Sequence, residues 1–580
     1  MTASATTTGP VRSDAGPGWL LLAVAAALPW LVTPTGQPWP GFHRDVLQAL
    51  VWLIAAGGIV WRSRGPWALS PSAAVLLAVA LVPPLQAAAG LYAEPADALL
   101  PASTLAGLAL AVALASHAQR AFPLRLADAL FAGLVIAGLA SVALALLQWL
   151  QIDLLGPLSN ARPLGGRPTA NLGQPNLLAT LLLWSLVGAA WGHWRGEIGR
   201  ATLLLLCAVL LLGIVMTQSR SGALGVVALA LFAAFAKRRA GFVLPGKALA
   251  ALGLGFVLLL VAWPTINAGL GLAGARTVAD TASGGKRPAI WAAMLDAVGR
   301  SPWLGYGWDQ GIAAHLAVAD ERPPLHVIVQ HAHNLGLDLL VWNGAVLGTL
   351  LALALLAWYG RRAFKATDPP RWLLLAALSV LGLHSLLELP HMLPAFLVPA
   401  ALMAGTLEAM EPDQRRWTLP RPLVAVVVCV FAALLVQLAI ERQRVLEDLL
   451  AHRMIRARIG DLTPPPPPSL VLLRPVQRAL ADQRIEPRPD MPAEQIEALD
   501  RSALRHAAAG ALFNAAQAAA LNGRPAQAAL RLRQLCALHP PATCDAAREA
   551  WAELARTRYE ELAAVPFPAP AAPRQTGRAP

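Results

Sequence analysis

Arg220 sits in Thr217-Gln218-Ser219-Arg220-Ser221-Gly222, a polar knot between two apolar runs with too few residues for a long loop. A guanidinium at membrane depth is expensive, and a charge retained there points to function. The competing reading is an arginine that snorkels to the interface. Gln218, Ser219 and Ser221 favour function, because a snorkelling side chain needs no such hydrogen-bonding shell. Lys286-Arg287-Pro288, followed by Trp291 and Gly305-Tyr306-Gly307-Trp308, supplies a second cationic group. The planar fork of arginine matches phosphate oxygens, so Arg220 and Arg287 are candidates for holding a diphosphate. Steering a loop to lipid headgroups is the other reading of Arg287.

His326 and then Gln330-His331-Ala332-His333-Asn334 lead into a long apolar run, with Asp338 one turn inside. Unperturbed imidazole titrates at about 6.5. A histidine at a helix mouth therefore suits general-base work on a hydroxyl. A metal site is the rival for His331-x-His333, although no zinc-type ligand spacing accompanies it, and an interfacial histidine without a role is the third reading. Asn171-Leu172-Gly173-Gln174-Pro175-Asn176 opens another span, where proline and amides make a helix start with spare donors and acceptors. His384 and Glu388, four apart, are predicted to share one face near the end of a helix and to pair, chiefly as core-facing polar packing. No Walker motif, dinucleotide glycine signature or metal-holding carboxylate pair is present, so no cofactor is expected.

The elements that position these groups follow from composition. Of 580 residues 56% are hydrophobic and 14% charged, and the mean hydropathy is +0.54. That excludes a soluble enzyme and a disordered chain. The apolar runs predict an all-α polytopic membrane protein of about thirteen spans, at 19–33, 46–61, 72–90, 99–116, 127–151, 176–194, 200–216, 221–236, 248–264, 333–358, 372–388, 392–408 and 422–440. The first span follows Arg12 and reads as an uncleaved anchor.

The formal charge of +13 needs no nucleic-acid partner, since basic residues collect in cytoplasmic connections during insertion. With a cytoplasmic N-terminus over residues 1–18, Lys237-Arg238-Arg239, Arg361-Arg362 and Arg415-Arg416 all face inward. The exceptions outside are Arg44, Arg162, Arg167, Arg220, Arg276, Lys286, Arg287, Arg300 and Arg322. Within the spanning region, 19–440, the longest outward loop is 265–332. An odd span count puts the tail outside, which in a bacterium is the periplasm. The tail divides into a charged, Pro-rich linker over 441–493, with the stiff run Pro464–Pro468, and a helical part over 494–580. Ala503–Leu521, Asn522-Gly523-Arg524 and Ala526–Leu538 before Pro540 read as one tetratricopeptide-like hairpin. Four cysteines make neither a disulfide scaffold nor a zinc pattern. Cys536 and Cys544 either close a small loop in an oxidising periplasm or remain two thiols, and Cys207 and Cys429 read as core residues within spans.

The order of these motifs, from Asn171–Asn176 through Ser219-Arg220-Ser221-Gly222, Arg287 with Gly305-Tyr306-Gly307 and His333-Asn334 to Leu386-Leu387-Glu388-Leu389-Pro390, resembles one family. It is that of bacterial protein O-oligosaccharyltransferases of the PglL kind, within the O-antigen ligase and polymerase superfamily. The resemblance covers roughly residues 19–440. It implies a metal-independent GT-C transferase of the inner membrane that takes an oligosaccharide from an undecaprenyl-diphosphate carrier, with membrane lipids around it and its site on the periplasmic face. The acceptor is then a Ser or Thr hydroxyl of an exported protein such as a pilin. By the same resemblance His333 is the essential histidine, Arg220 and Arg287 bind the diphosphate, and Gln174 is the functional glutamine, with Asn334, His331, Glu388 and His384 in support. Leu389 departs from the tyrosine that these ligases often carry there. O-antigen ligase or polymerase is the near alternative. A transporter or flippase is the distant one, disfavoured because no internal repeat is found and the polar groups crowd one face.

Overall fold

The computed structural model describes residues 16–33, 39–63, 66–160, 166–241, 245–272, 285–411, 417–460, 463 and 465–568. Arg12, Arg162, Arg276, Arg415, Arg416 and Pro464 lie outside them.

In chain order the elements are α1 (Pro17–Leu31), α2 (Phe42–Arg62), β1 (Trp67–Leu69), α3 (Pro71–Val79), α4 (Val82–Ala88), α5 (Leu99–Ala121), α6 (Arg125–Trp149), α7 (Pro175–Trp194), α8 (Arg200–Thr217), α9 (Arg220–Ala240) and α10 (Gly246–Gly269). After the long loop come α11 (Arg287–Arg300), α12 (Gly311–Val318), α13 (Leu335–Lys365), α14 (Pro369–Ser385), α15 (Pro394–Ala409), β2 (Trp417–Leu419) and α16 (Arg421–Arg456). The tail adds α17 (Arg474–Asp482), α18 (Ala493–His506), α19 (Ala509–Leu521), α20 (Pro525–Leu538) and α21 (Pro541–Thr557). The protein is an all-α polytopic membrane protein: among the described residues ten helical segments are long and apolar enough to span. Each of the thirteen expected segments is helical, but three are short, at 15, 17 and 16 residues for α1, α14 and α15. The expected span 72–90 is broken into α3 and α4.

The chain divides into two compact units. The first comprises residues 1–80, 103–283 and 355–439. Its core includes Trp30, Trp184 and Phe396, whose rings meet edge-on or tilted at 5.0–6.2 Å. Lipid is as apolar as leucine, so close packing and interhelical hydrogen bonds hold such a bundle together. Ser185 Oγ donates to the Leu134 carbonyl at 2.7 Å, and Trp184 Nε1 to that of Ala377 at 2.8 Å. A two-stranded antiparallel sheet pairs Trp67 with Leu419 and Leu69 with Trp417. Cys207 is buried, whereas Cys429 is exposed on α16 and is no core residue.

The second unit comprises residues 81–102, 284–354 and 440–580. Here loop and tail share a core, in which Leu316 and Ala319 pack with Ile496, Leu499, Leu512, Leu535 and Leu538. The boundary expected at residue 440 falls within the continuous α16. Glu441, fully buried, accepts the backbone N–H groups of Val471, Leu472 and Leu473 at 2.8–3.0 Å. The segment 441–493 thus carries the end of α16, this clamp and α17. The expected helix Ala503–Leu521 is divided at Ala507, which adopts a left-handed conformation at φ 48°. Pro540 ends α20 as expected, and Pro541 then starts α21 as a first-turn residue. Cys536 and Cys544 are joined by a disulfide, with Cα atoms 4.9 Å apart.

Candidate functional site

In the first unit the polar groups gather around Asn176, in the first turn of α7. Pro175 suits the first helical position because its missing N–H would have no partner there. The Asn176 amide donates to Glu388 Oε1 at 2.8 Å and accepts from Ser219 Oγ at 2.8 Å. Ser219 is the N-cap of α9: its Oγ accepts the Gly222 N–H at 3.0 Å and lies 3.0 Å from Ser221 Oγ. Arg167 Nε donates to the Thr217 carbonyl at 2.8 Å, which ties the preceding loop to the same knot. Gln218 stands between α8 and α9 at φ 46°, so the two helices meet through a left-handed corner rather than a loop. Arg220 is half-buried as the first residue of α9, and Gln174 is the N-cap of α7.

Helix α14 stops at Ser385, so Glu388 lies past its end rather than on the expected helical face with His384. Buried His384 meets Thr180 Oγ1 through Nδ1, while buried Glu388 reaches Asn176. Both residues therefore bind α7. Proline at 390 follows the end of the helix, as expected of a residue that cannot continue one.

In the second unit the histidine loop is pinned on every side. Lys286 Nζ donates to the Leu325 carbonyl at 2.8 Å, and Trp291 Nε1 to that of Ala332 at 2.9 Å. The Val329 N–H donates to His315 Nδ1 at 3.2 Å, so His315 carries its proton on Nε2, and burial pushes its pKa down to about 4. From the tail, the Ala537 carbonyl accepts the His326 N–H at 3.0 Å, and the His539 carbonyl lies 2.8 Å from His326 Nδ1. The Asp338 carboxylate, in the first turn of α13, accepts the Ala332 N–H at 2.7 Å. Asn334 Oδ1 accepts the Leu337 N–H at 3.2 Å, which caps that helix. Between them His333 is held at φ 54°, a strained conformation that persists only because its surroundings fix it.

A second device fixes the same loop. Helix α13 is interrupted at Gly344, φ 76°, and the turn after α11 docks onto the break: Tyr306 N–H donates to Val341 O at 2.9 Å and Gly307 N–H to Trp342 O at 3.1 Å. Gly305 has φ 68°, and a Cβ there would stand 2.5 Å from the Val341 carbonyl, so no larger residue fits. Gln86 bridges both parts, donating to Trp342 O at 2.9 Å and accepting the Trp308 N–H at 2.8 Å. The turn ends in Asp309, whose carboxylate lies 3.7 Å from His331 Nδ1. Burial, then the carboxylates of Asp338 and Asp97, push Asp309 up to about 7.

The expected residues thus fall into two groups. Gln174, Arg220, His384 and Glu388 belong to the first unit, and Arg287, His331, His333 and Asn334 to the second. Arg287 opens α11 just as Arg220 opens α9. Among the described residues no group of three or more metal-ligating side chains occurs. Sequence reasoning missed Arg167, Gln86, His315 and Asp309. Signals existed for Arg167, one of the basic residues outside the inward bias, and for Asp309, a carboxylate directly after the Gly305-Tyr306-Gly307-Trp308 stretch.

A helical chain with many spans, and with two polar knots held together by helix ends and breaks, belongs to the class of multi-pass membrane proteins with built polar sites. Comparison with known families narrows the class. A family model described as O-antigen ligase matches residues 205–352, one described as protein glycosylation ligase matches 168–191, and one described as virulence factor membrane-bound polymerase, C-terminal, matches 372–556. A general O-oligosaccharyltransferase of Acinetobacter baylyi is 28% identical over 413 residues, covering 69% of this chain and 71% of that protein. A ComP-specific O-oligosaccharyltransferase of the same organism is 28% identical over 244 residues, covering 41% and 44%. These matches support the likeness to PglL-type O-oligosaccharyltransferases and O-antigen ligases that the motif order shows.

Proposed function

We propose that this protein transfers an oligosaccharide from undecaprenyl diphosphate to a Ser or Thr hydroxyl of an exported protein such as a pilin, at the periplasmic face of the bacterial inner membrane. One observation carries the donor side. Arg220 and Arg287 are each the first residue of a helix, the end where the backbone dipole disfavours a cation and favours an anion. A diphosphate suits both the helix ends and the guanidinium forks. The names of the relatives support the transfer, the positive-inside pattern supports the orientation, and the disulfide suits an oxidising compartment.

In this reading the acceptor oxygen bonds to the anomeric carbon as the carbon–oxygen bond to the diphosphate breaks, and the electron pair leaves with the diphosphate. Arg220 and Arg287 stabilise that growing charge. His333 takes the hydroxyl proton, with His331 and Asn334 beside it in the loop. Gln174, Glu388 and His384 shape the amide-rich start of α7. No step is assigned to a metal.

The O-antigen ligase and polymerase models that match the chain favour a second acceptor, lipid A-core or a growing glycan. Expression of the full chain with a lipid-linked oligosaccharide and candidate acceptors separates the two, read by mass spectrometry of protein and lipopolysaccharide. Glycan on protein is the expected result. Glycan only on lipopolysaccharide selects the second acceptor, and modification of neither removes both.

A further inference from the structure

We propose that Asp309 is a positioning residue for the transfer reaction: the turn from Gly305 to Asp309 holds its carboxyl group against His331 Nδ1, which keeps the imidazole proton on Nδ1 and leaves Nε2 as a basic edge of the histidine loop. The inference rests on the transferase reading above.

Both partners are held by independent restraints. Asp309 Oδ1 stands 3.7 Å from His331 Nδ1, a charge contact longer than a hydrogen bond. The backbone at Asp309 is left-handed, φ 65°, which aspartate tolerates better than most side chains. Tyr306 and Gly307 fasten its turn to the break in α13, Gln86 holds the Trp308 N–H, and Tyr92 Oη donates to the Trp308 carbonyl at 3.0 Å. The Trp308 and Trp342 rings pack at 5.4 Å. On the other side, Asp338 and Trp291 grip the two polar atoms of the Ala332 backbone, directly after His331. A pair so fixed can set a tautomer, because a histidine's proton stays on the nitrogen that faces an acceptor.

The groups facing Asp309 explain why the pair matters near neutrality. Asp338 comes from α13, Asp97 from the turn before α5, and Tyr92 from the segment before that. Asp97 is itself bound by Arg505 through two contacts of 2.7 and 2.9 Å. Burial and the carboxylates of Asp338 and Asp97 hold the Asp309 proton up to about pH 7, so the charge that faces His331 Nδ1 is switched near neutrality. With Asp309 ionised, Nδ1–H faces a carboxylate and Nε2 is basic. With Asp309 protonated, that preference is lost. During transfer the hydroxyl proton passes to the histidine loop and on to water, while the glycan leaves the diphosphate for the acceptor oxygen.

The test uses the purified full chain in detergent, a synthetic polyprenyl-diphosphate disaccharide as donor probe and a serine-containing peptide as acceptor probe, with rates measured from pH 5.5 to 9. Asp309→Asn keeps shape and suits left-handed backbone, so it tests charge rather than folding. We expect kcat above neutral pH to fall roughly 10–100-fold, as when an orienting partner of a histidine is removed. The donor KM should stay put, the acid limb near pH 7 should flatten, and Asp309→Glu should restore that limb. In a His331→Gln background, Asp309→Asn should change nothing further. A wild-type profile for Asp309→Asn beside an inactive His333→Ala overturns the assignment of Asp309 alone. A loss uniform across pH and additive with His331→Gln overturns it too, as a merely structural effect. Wild-type rates in His333→Ala, Arg220→Ala and Arg287→Ala together would instead sink the transferase reading.

Discussion

Two clusters of charge put similar groups to opposite uses. In the first unit Glu408, fully buried, meets Arg362 at 3.3 Å and accepts from Ser72 Oγ at 2.9 Å. Arg362 also approaches Glu411 at 3.4 Å and lies 4.3 Å over the Trp358 ring, whose Nε1 donates to Ser72 Oγ at 2.7 Å. In the second unit Asp309 stands beside the histidine loop, and after burial the carboxylates of Asp338 and Asp97 raise its proton affinity. The first cluster brings opposite charges together and cancels them, whereas in the second Arg505 pairs with Asp97 while Asp309 keeps a proton near neutral pH. An intramembrane charge alone is thus a coarse sign of function. What separates a strut from a working site is whether its neighbours neutralise the charge.

The comparison breaks most sharply at His333. Base catalysis contributes about 10²–10⁴-fold, so His333→Ala should lower turnover by that order while leaving donor binding and thermal stability intact. Equal turnover in His333→Ala and wild type, with His331→Ala inactive, would move the role two residues back. On the strut side the readout is reversed. Removing one partner of a buried pair strands the other at a cost of about 3–5 kcal/mol, so Glu408→Gln or Arg362→Met should lower the melting temperature steeply. Transfer per folded molecule should not change. The double variant should recover much of the loss, and a double variant as unstable as the sum of the singles would contradict the pairing.

The sequence revealed the groups better than their pairing. Thirteen apolar runs are thirteen helical segments because burial in lipid needs only length and apolarity, which composition records directly. The break after Ala80 falls just before Pro83-Pro84, in the first turn of α4, whereas that at Gly344 left no trace in its run, since it depends on the turn after Ser301 that docks there, more than thirty residues away. The pairing of Trp67 with Leu419 joins segments about 350 residues apart, and nothing local announces it. Arg220 was legible as a charge out of place, and Arg167 was seen outside the inward bias, but only the fold sets Arg167 on the Thr217 carbonyl. Asp309 stood in an ordinary loop until the fold brought it to His331.

Two smaller effects sharpen the contrast. The disulfide closes a short loop of nine residues, Cys536 to Cys544, that presents the His539 carbonyl to His326. Chain-entropy arguments give such a crosslink about 2–3 kcal/mol, so Cys536→Ser with Cys544→Ser should lower the unfolding temperature of the second unit and spare the melting of the Glu408 cluster. Unchanged melting would show that the shared core holds the tail without it. For Arg220, a charge-assisted contact worth about 1.5–3 kcal/mol means that Arg220→Ala should weaken binding of the polyprenyl-diphosphate probe roughly 10–100-fold. Arg220→Lys should retain part of that binding, keeping charge without the fork, and donor affinity unchanged in both would remove Arg220 from the donor site.

The last expected effect is on stability against pH, and Asp309 contributes to it with a definite sign. An aspartate in the unfolded chain loses its proton near 3.8, whereas burial and the neighbouring carboxylates hold it to about 7 in the folded protein. Between those values the native state binds more protons than the unfolded state, so stability falls as pH rises across the window. Below it the contribution is fully present, and above it the contribution is gone. Melting curves of the chain with and without Asp309→Asn, both carrying His331→Gln so that the imidazole's own titration drops out, should therefore diverge with pH. The chain that keeps Asp309 should lose ground to the asparagine variant from about pH 4 to 7 and run parallel to it above. Parallel curves across the whole range would mean that Asp309 ionises in the folded protein as an ordinary surface aspartate, and the two charge clusters would then differ in composition but not in the work they do.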